Sequence, residues 1–178
     1  MAAVVLVGTL DSKGAEYAFL RDRLRERGTD VLVVDAGIYE PVGLEPDIAR
    51  DEVARAGGAD VAELATAGDR GAAVTAMAAG AEQIVRRLYD EGKLSGILAL
   101  GGSGGSSIAT RAMRALPVGV PKLMVSTVAS GDTRPYVGAV DVTMMYSVVD
   151  ISGVNSVSAR IMANAAGAIA GMVEATVP

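Results

Sequence analysis

Apolar residues run without interruption from Ala2 to Val7 and stop at Gly8, the pattern of a central parallel strand buried on both faces. Tyr17, Leu20 and Leu24 then recur at helical spacing among Arg and Glu, and Gly28 stands where that helix should end. Val31 to Val34 predicts a second strand, closed by Asp35. From residue 36 to about 70 the periodicity breaks: Pro41, Gly43, Pro46, Gly57, Gly58 and Gly68 punctuate the chain, and only a short charged helix over about 47–56 is predicted. A connection of that length reads as an irregular insertion or a mobile flap.

Helical spacing returns between Arg70 and Glu91, with Val74, Met77, Ala78, Ala81, Val85 and Leu88 on one face and Gly92 as its stop. Residues 94–100 predict a third buried strand that runs into Gly101, Gly102, Ser103, Gly104, Gly105, Ser106 and the opening of a helix. Pro121 to Thr127 predicts a fourth strand, and Ala139 to Ser147 has edge-strand character. Residues 155–173 predict a long helix with Val157, Ile161, Ala165, Ala168, Ile169 and Met172 facing inward, small enough in its side chains to lie close on a sheet. Strands alternating with helices define one α/β domain over 1–178: a Rossmann-like, three-layer fold with a mostly parallel sheet flanked by helices.

Composition narrows the chemistry. Of 178 residues 51% are hydrophobic but only 3% aromatic, so the core is built from small, closely packed side chains. The net charge of −5 comes without a basic face, which argues against nucleic acid as a partner. Cysteine and histidine are both absent, excluding disulfides, thiol nucleophiles, zinc-thiolate sites and the Ser-His-Asp class of hydrolase. The first apolar run is too short for a signal peptide, and no stretch reaches the ~20 apolar residues of a membrane span. A cytoplasmic protein that does not bind membranes is expected.

Three polar loops follow predicted strands, and in a parallel sheet they share one edge. The first carries Gly8, Thr9, Asp11 and Lys13, the second Gly102 to Ser106, the third Thr127, Ser130 and Gly131. A glycine-rich turn from strand into helix aims free N–H groups and the positive end of a helix dipole at one point, which suits a phosphate. Neither nucleotide fingerprint is met: Ser107 occupies the third glycine position of G-x-G-x-x-G, and Lys13-Gly14 reverses the Walker order. The competing reading is a sharp turn whose glycines adopt positive φ, with Ser106 or Ser107 as N-cap. Lys13 can place a charge on a phosphate and Asp11 can hold Mg2+ through water, or both can be ordinary cap and surface residues. Asp132 and Asp141 are further metal-holding candidates. Asp35, closing the second strand, occupies the place where Rossmann domains hold ribose hydroxyls, which keeps an NAD(P)-dependent oxidoreductase domain open beside a protein-interaction module without nucleotide.

The motifs Gly8-Thr9-Leu10-Asp11-Ser12-Lys13, Ala99 to Gly105, Met113 through Pro117, Pro121 to Gly131 and Asn164 to Met172, in this order, resemble the Tm-one-like ATP-binding family, named from the tomato mosaic virus resistance protein. The resemblance covers essentially the whole chain. It implies an ATP-binding α/β domain that is the N-terminal part of a longer architecture, regulatory or partner-binding rather than strongly catalytic. Carried over residue by residue, it implies phosphate-facing roles for Gly8, Thr9, Asp11, Lys13, Gly102, Ser103, Gly104, Gly105, Ser106, Thr127, Ser130 and Gly131. Slow or no hydrolysis is expected, and apolar surface left on the last helix predicts a homodimer.

Overall fold

The computed structural model describes residues 2–178. Five strands, β1 (Ala3–Gly8), β2 (Val31–Asp35), β3 (Leu94–Gly101), β4 (Lys122–Ser126) and β5 (Thr143–Tyr146), form one sheet in the order β2-β1-β3-β4-β5. Every strand pairing is parallel, so the sheet is more uniform than its sequence suggests. Seven helices flank it: α1 (Leu10–Glu26), α2 (Arg50–Ala56), α3 (Val61–Ala67), α4 (Arg70–Asp90), α5 (Ser103–Arg114), α6 (Arg134–Val137) and α7 (Ser156–Glu174). Alternate residues of β1 face opposite layers: Val5 and Val7 pack with residues of α2, α4 and α5, whereas Val4 and Leu6 pack with α1 and α7. That is the three-layer arrangement expected of a strand apolar on both faces.

Tyr17 ties the middle of the sheet together. Fully buried, it donates its hydroxyl to the Val7 carbonyl at 2.6 Å and accepts from the Leu100 N–H at 3.0 Å, bridging the ends of β1 and β3. Burial holds the phenol well above the usual tyrosine range, so it remains a donor. The ring lies so close to β1 that a Cβ on Gly8 would stand 2.0 Å from it. Gly8 is therefore a packing requirement.

Several boundaries differ from expectation, each for a local reason. α1 begins at Leu10, so Asp11 and Lys13 lie in its first turn and the loop after β1 shrinks to Thr9. α2 starts at Arg50 because Asp47 is engaged earlier: its carboxylate accepts from the Val33 N–H at 2.7 Å, and Ile48 bridges to Val34. The supposedly irregular stretch also contains α3, capped by Asp60, whose carboxylate accepts from the Glu63 N–H at 3.0 Å. The Asp-x-x-Glu spacing that announces such a start was present in the sequence.

The expected flap is anchored at its beginning. Asp11 accepts from the N–H groups of Ile38 and Tyr39 at 3.2 and 3.1 Å, Val42 N–H donates to the Leu10 carbonyl at 3.1 Å, and Leu44 is buried. α3 is held less firmly, since it has no fully buried residue. The predicted inward face of α7 holds apart from its first turn: Ala165 and Ile169 are buried together with Met162, Ala166 and Ala170, and Ile161, Ala168 and Met172 pack against the same core, whereas Val157 is 44% exposed. Its Asn155 N-cap and Ser158 form a capping box at the start of the helix. Among the described residues α7 is the one helix long and apolar enough to cross a membrane by length and composition, and its buried face belongs to the core beside Leu98 and Val125.

The two distal aspartates proposed as metal holders have other partners. Asp141 accepts from the ammonium of Lys122 at 2.8 Å, a lysine with no solvent exposure whose other bonds go to the Pro117 and Val120 carbonyls. This pairing holds the Asp141 carboxyl below the usual range. Asp132 pairs with Arg134 at 2.9 Å.

Candidate functional site

In a sheet of order 2-1-3-4-5 the chain changes direction between β1 and β3, and helices leave those two strands toward opposite faces. A cleft of about 660 Å³ opens there, at the carboxyl ends of the strands, within the usual size range of small-molecule sites. Thr9, Asp11 and Lys13 line one wall from α1, and Gly102, Ser103, Gly104 and Gly105 line another from the start of α5. The opposite wall, from α3, the turn after it and α4, is apolar at Leu64, Val74 and Met77 and charged at Asp69 and Arg70, and Ile108 of α5 continues its apolar part. One end is thus polar and rich in backbone, the other greasy.

At the N-cap positions, Thr9 of α1 and Gly102 of α5 offer no side-chain bond to the first-turn N–H groups, so that the start of α5 carries no side-chain cap. At α5 the glycines have a particular meaning. Gly101 packs against α5, where a Cβ would lie 3.0 Å from the Gly105 Cα. Gly102, Gly104 and Gly105 are different. A Cβ on them would meet nothing nearer than 3.7, 3.7 and 3.6 Å, ordinary contact distances, and none has positive φ. The sharp-turn reading, which needs left-handed glycines, therefore fails here. The folded chain tolerates side chains at these places; what they would fill is the cleft.

The remaining predicted residues divide clearly. Ser106 does not face the cleft: its hydroxyl is fully buried and bonds Ser126 Oγ at 2.6 Å, because the helix turns the fourth residue of α5 back onto the sheet. Gly8 is occupied with Tyr17. Thr127, Ser130 and Gly131 lie at the carboxyl end of β4, in a 3-10 turn outside the cleft lining. Thr127 still comes near the glycine turn, with its Oγ1 at 3.7 Å from a Cβ built on Gly102. Asp11 lines the cleft, but its Oδ2 already serves Ile38 and Tyr39. No group of three or more acidic ligands that could hold a metal occurs among the described residues. Arg70, the first residue of α4, was missed by sequence reasoning; it lines the cleft and has no ion-pair partner among the described residues. Only its place after Gly68-Asp69, at a helix start, could have signalled it.

Asp35 is fully buried and does not line the cleft. Its Oδ1 accepts from the Leu10 N–H at 3.2 Å and the Gly37 N–H at 2.9 Å, clasping α1 to the turn after β2, while Oδ2 has no partner. A carboxylate so placed is not available to ribose hydroxyls. Burial pushes its carboxyl above the usual aspartate range, and nearby Asp11 adds to this, against the lowering by the Gly37 and Leu10 N–H bonds and Arg50. Because the folded state then holds the proton more tightly than the unfolded chain, the stabilisation is complete below the ordinary aspartate range, near about 4, and is lost as pH rises through the raised value. Asp35→Asn cannot ionise, so urea titrations from pH 4 to 8 should show wild type losing stability relative to the variant as pH rises. Parallel profiles would contradict the assignment.

An all-parallel doubly wound sheet with a cleft at its switch point is a Rossmann-like α/β domain of the class that takes ligands at the strand ends. This chain belongs to the uncharacterised protein family UPF0261, whose N-terminal domain it matches over residues 2–178. A UPF0261 protein of Clostridium tetani is 51% identical over 175 residues, covering 98% of this chain and 43% of that protein. One of Mesorhizobium japonicum is 43% identical over 180 residues, covering 100% of the chain and 44% of the relative. The ToMV resistance protein Tm-1 of tomato, Solanum lycopersicum, is 47% identical over 104 residues, 58% of this chain and 14% of that protein. The chain thus spans less than half the length of these relatives.

Proposed function

We propose that the cleft binds ATP or a closely related nucleotide, with the phosphates over the first turn of α5 and the base against Leu64, Val74, Met77 and Ile108. One observation carries this reading: Gly102, Gly104 and Gly105 stand where neither backbone conformation nor packing calls for glycine. Bare backbone at an uncapped helix start leaves N–H groups open to an anion. Lys13 and Arg70 supply positive charge on either side, and Mg2+ would enter chiefly through the phosphates, with Asp11 contributing through water. Hydrolysis is expected to be slow or absent, because the carboxylates lining the cleft are engaged, Asp11 by two N–H groups, Asp69 as the N-cap of α4 and Glu40 by Arg50, and a poised base is what turnover needs. A regulatory or partner-binding role fits this, and the tomato relative's name as a resistance protein points the same way. A cytoplasmic location belongs to the same reading. An NAD(P)-dependent oxidoreductase is less well supported, since the acid it would use, Asp35, is occupied.

Calorimetric titration tests the proposal. ATP should bind wild type with measurable heat, and Lys13→Ala should weaken it by roughly 1.5 to 3 kcal/mol, the worth of a hydrogen bond to a charged group. Adenosine, lacking phosphates, should be affected little. Absence of heat with wild type would remove ATP, and equal affinities would remove Lys13 from the site.

The same reading includes a two-fold dimer. β5 leaves one sheet edge unpaired, Tyr146 at its end and Val148 just after it are exposed at 43 and 58%, and Val154 and Val157 around the start of α7 are exposed at 44% each, a combination that favours self-association. Light scattering should return about twice the 18.0 kDa chain mass, and a monomer at every concentration up to millimolar would count against it.

A further inference from the structure

Lys13 faces two ways. It lines the cleft, yet its ammonium donates to the carbonyl of Ile151, in the segment that joins β5 to α7. One helical turn along α1, buried Glu16 accepts from the N–H of Gly153 in the same segment. The segment therefore hangs from α1 by two bonds, one of them made by the residue that stands in the cleft. Between them Ile151 is itself buried, beside Met162 and Leu100.

The segment also carries the one non-glycine residue with positive φ among the described residues, Val148 at 68°. A β-branched residue in the left-handed region is strained and persists only where its surroundings hold it. Ser147, with its hydroxyl on the Val149 carbonyl, and Ser158, bonded to the Gly153 carbonyl and the Asn155 N–H, complete those surroundings. Nothing in the sheet pairing requires such a conformation at this place. Around it stand the Ser147 bond within the segment and, further along, the bonds from Lys13 to Ile151 and from Gly153 to Glu16.

We infer that residues 147–153 are a positioning and sensing element for the cleft: the Ile151 carbonyl presets the Lys13 ammonium, and an anion gripped by that ammonium orders the segment in return. An ammonium has three donors, and one is spent on Ile151, so two remain for a phosphate while the carbonyl is held. The coupling is reciprocal by thermodynamic necessity: whatever loosens the segment weakens the anion, and the anion tightens the segment. This rests on the phosphate-binding reading of the cleft. It adds that occupancy of the cleft is transmitted to a surface segment beside the sheet edge.

The test uses two readouts. Hydrogen exchange followed by mass spectrometry should show ATP slowing exchange in residues 147–153 as well as in the first turn of α5, residues 103–105. Glu16→Ala removes the second bond without touching the cleft lining, and should weaken ATP by about fivefold or more, the low end of ordinary coupling. The sign is diagnostic, because deleting a nearby negative charge would by itself strengthen binding of an anion. Should Glu16→Ala lower the melting temperature too far to titrate, wild-type exchange decides alone. If ATP protects 103–105 while exchange in 147–153 stays unchanged, the coupling is overturned and the cleft reading stands. With no heat and no protection at 103–105, both fall. Slowed exchange in 147–153 together with weaker binding to Glu16→Ala is the supporting result.

Discussion

Gly104→Ala combined with Gly105→Ala should weaken ATP about ten- to hundredfold, the equivalent of one charge-assisted hydrogen bond, while the fold stays as stable as wild type or gains. The two halves of this expectation come from the same geometry. Gly104 and Gly105 are the second and third residues of α5, where a methyl group meets only Val74 Cγ2 at 3.7 Å and the Leu100 carbonyl at 3.6 Å. In a helix alanine is better than glycine by up to about 1 kcal/mol, chiefly because the unfolded chain has less freedom to lose. The methyl groups would nevertheless stand over the first-turn N–H groups, in the cleft. A higher melting temperature with weakened ATP would mark these glycines as kept for a ligand at some cost in stability. Unchanged affinity would show that the backbone here does not grip phosphate, and an unfolded variant would restore the purely structural reading of the turn.

Tyr17→Phe carries the largest expected effect on stability, about 2 to 3 kcal/mol, measurable as a shift in urea midpoint at constant slope. The ring would keep its packing, and only the hydroxyl is removed. Its loss leaves the Val7 carbonyl and the Leu100 N–H without the partner they share, in a place without solvent exposure. A buried polar group left unsatisfied costs about 1 to 3 kcal/mol, and here two are affected at once. The site feels the change as well, because these groups lie at the ends of β1 and β3, the two strands that deliver both glycine-flanked walls of the cleft. A loss below about 0.5 kcal/mol would mean that water or a backbone shift replaces the hydroxyl.

Much of the architecture is written in local pattern. Ala3 to Gly8 is apolar on both faces because two helical layers cover it, and in an α/β chain a run of this kind marks the middle of a parallel sheet. Gly28 and Gly92 end α1 and α4 with φ of 76° and 71°, as their positions after the last periodic residues implied. α3 was obscured because two glycines precede it and one follows it, so a seven-residue helix looked like loop. On α7 the periodicity held for Ile161, Ala165, Ala168, Ile169 and Met172 and missed only at Val157, in the exposed first turn.

For the candidate site, two of the three strand-to-helix loops legible in the sequence line the cleft, and the third, with Thr127, Ser130 and Gly131, lies outside it. Strand-to-helix turns rich in glycine and hydroxyl residues fall on one edge of a parallel sheet, and Thr9, Asp11, Lys13, Gly102, Ser103, Gly104 and Gly105 do line one cleft. Which way each side chain turns was decided only by tertiary structure. Ser106 and Asp35 lie in the same stretches, yet the helix phase sends one hydroxyl to Ser126 and strand register sets the carboxylate under Leu10 and Gly37. Arg70 and the apolar wall come from a segment far along the chain from α1, brought there because α4 packs across the sheet. Lys13 meets Ile151 across 138 positions. Spacing along a chain encodes the period of an element and the chemistry at its ends; the partner of a side chain depends on distances between elements, which exist only once the layers have packed.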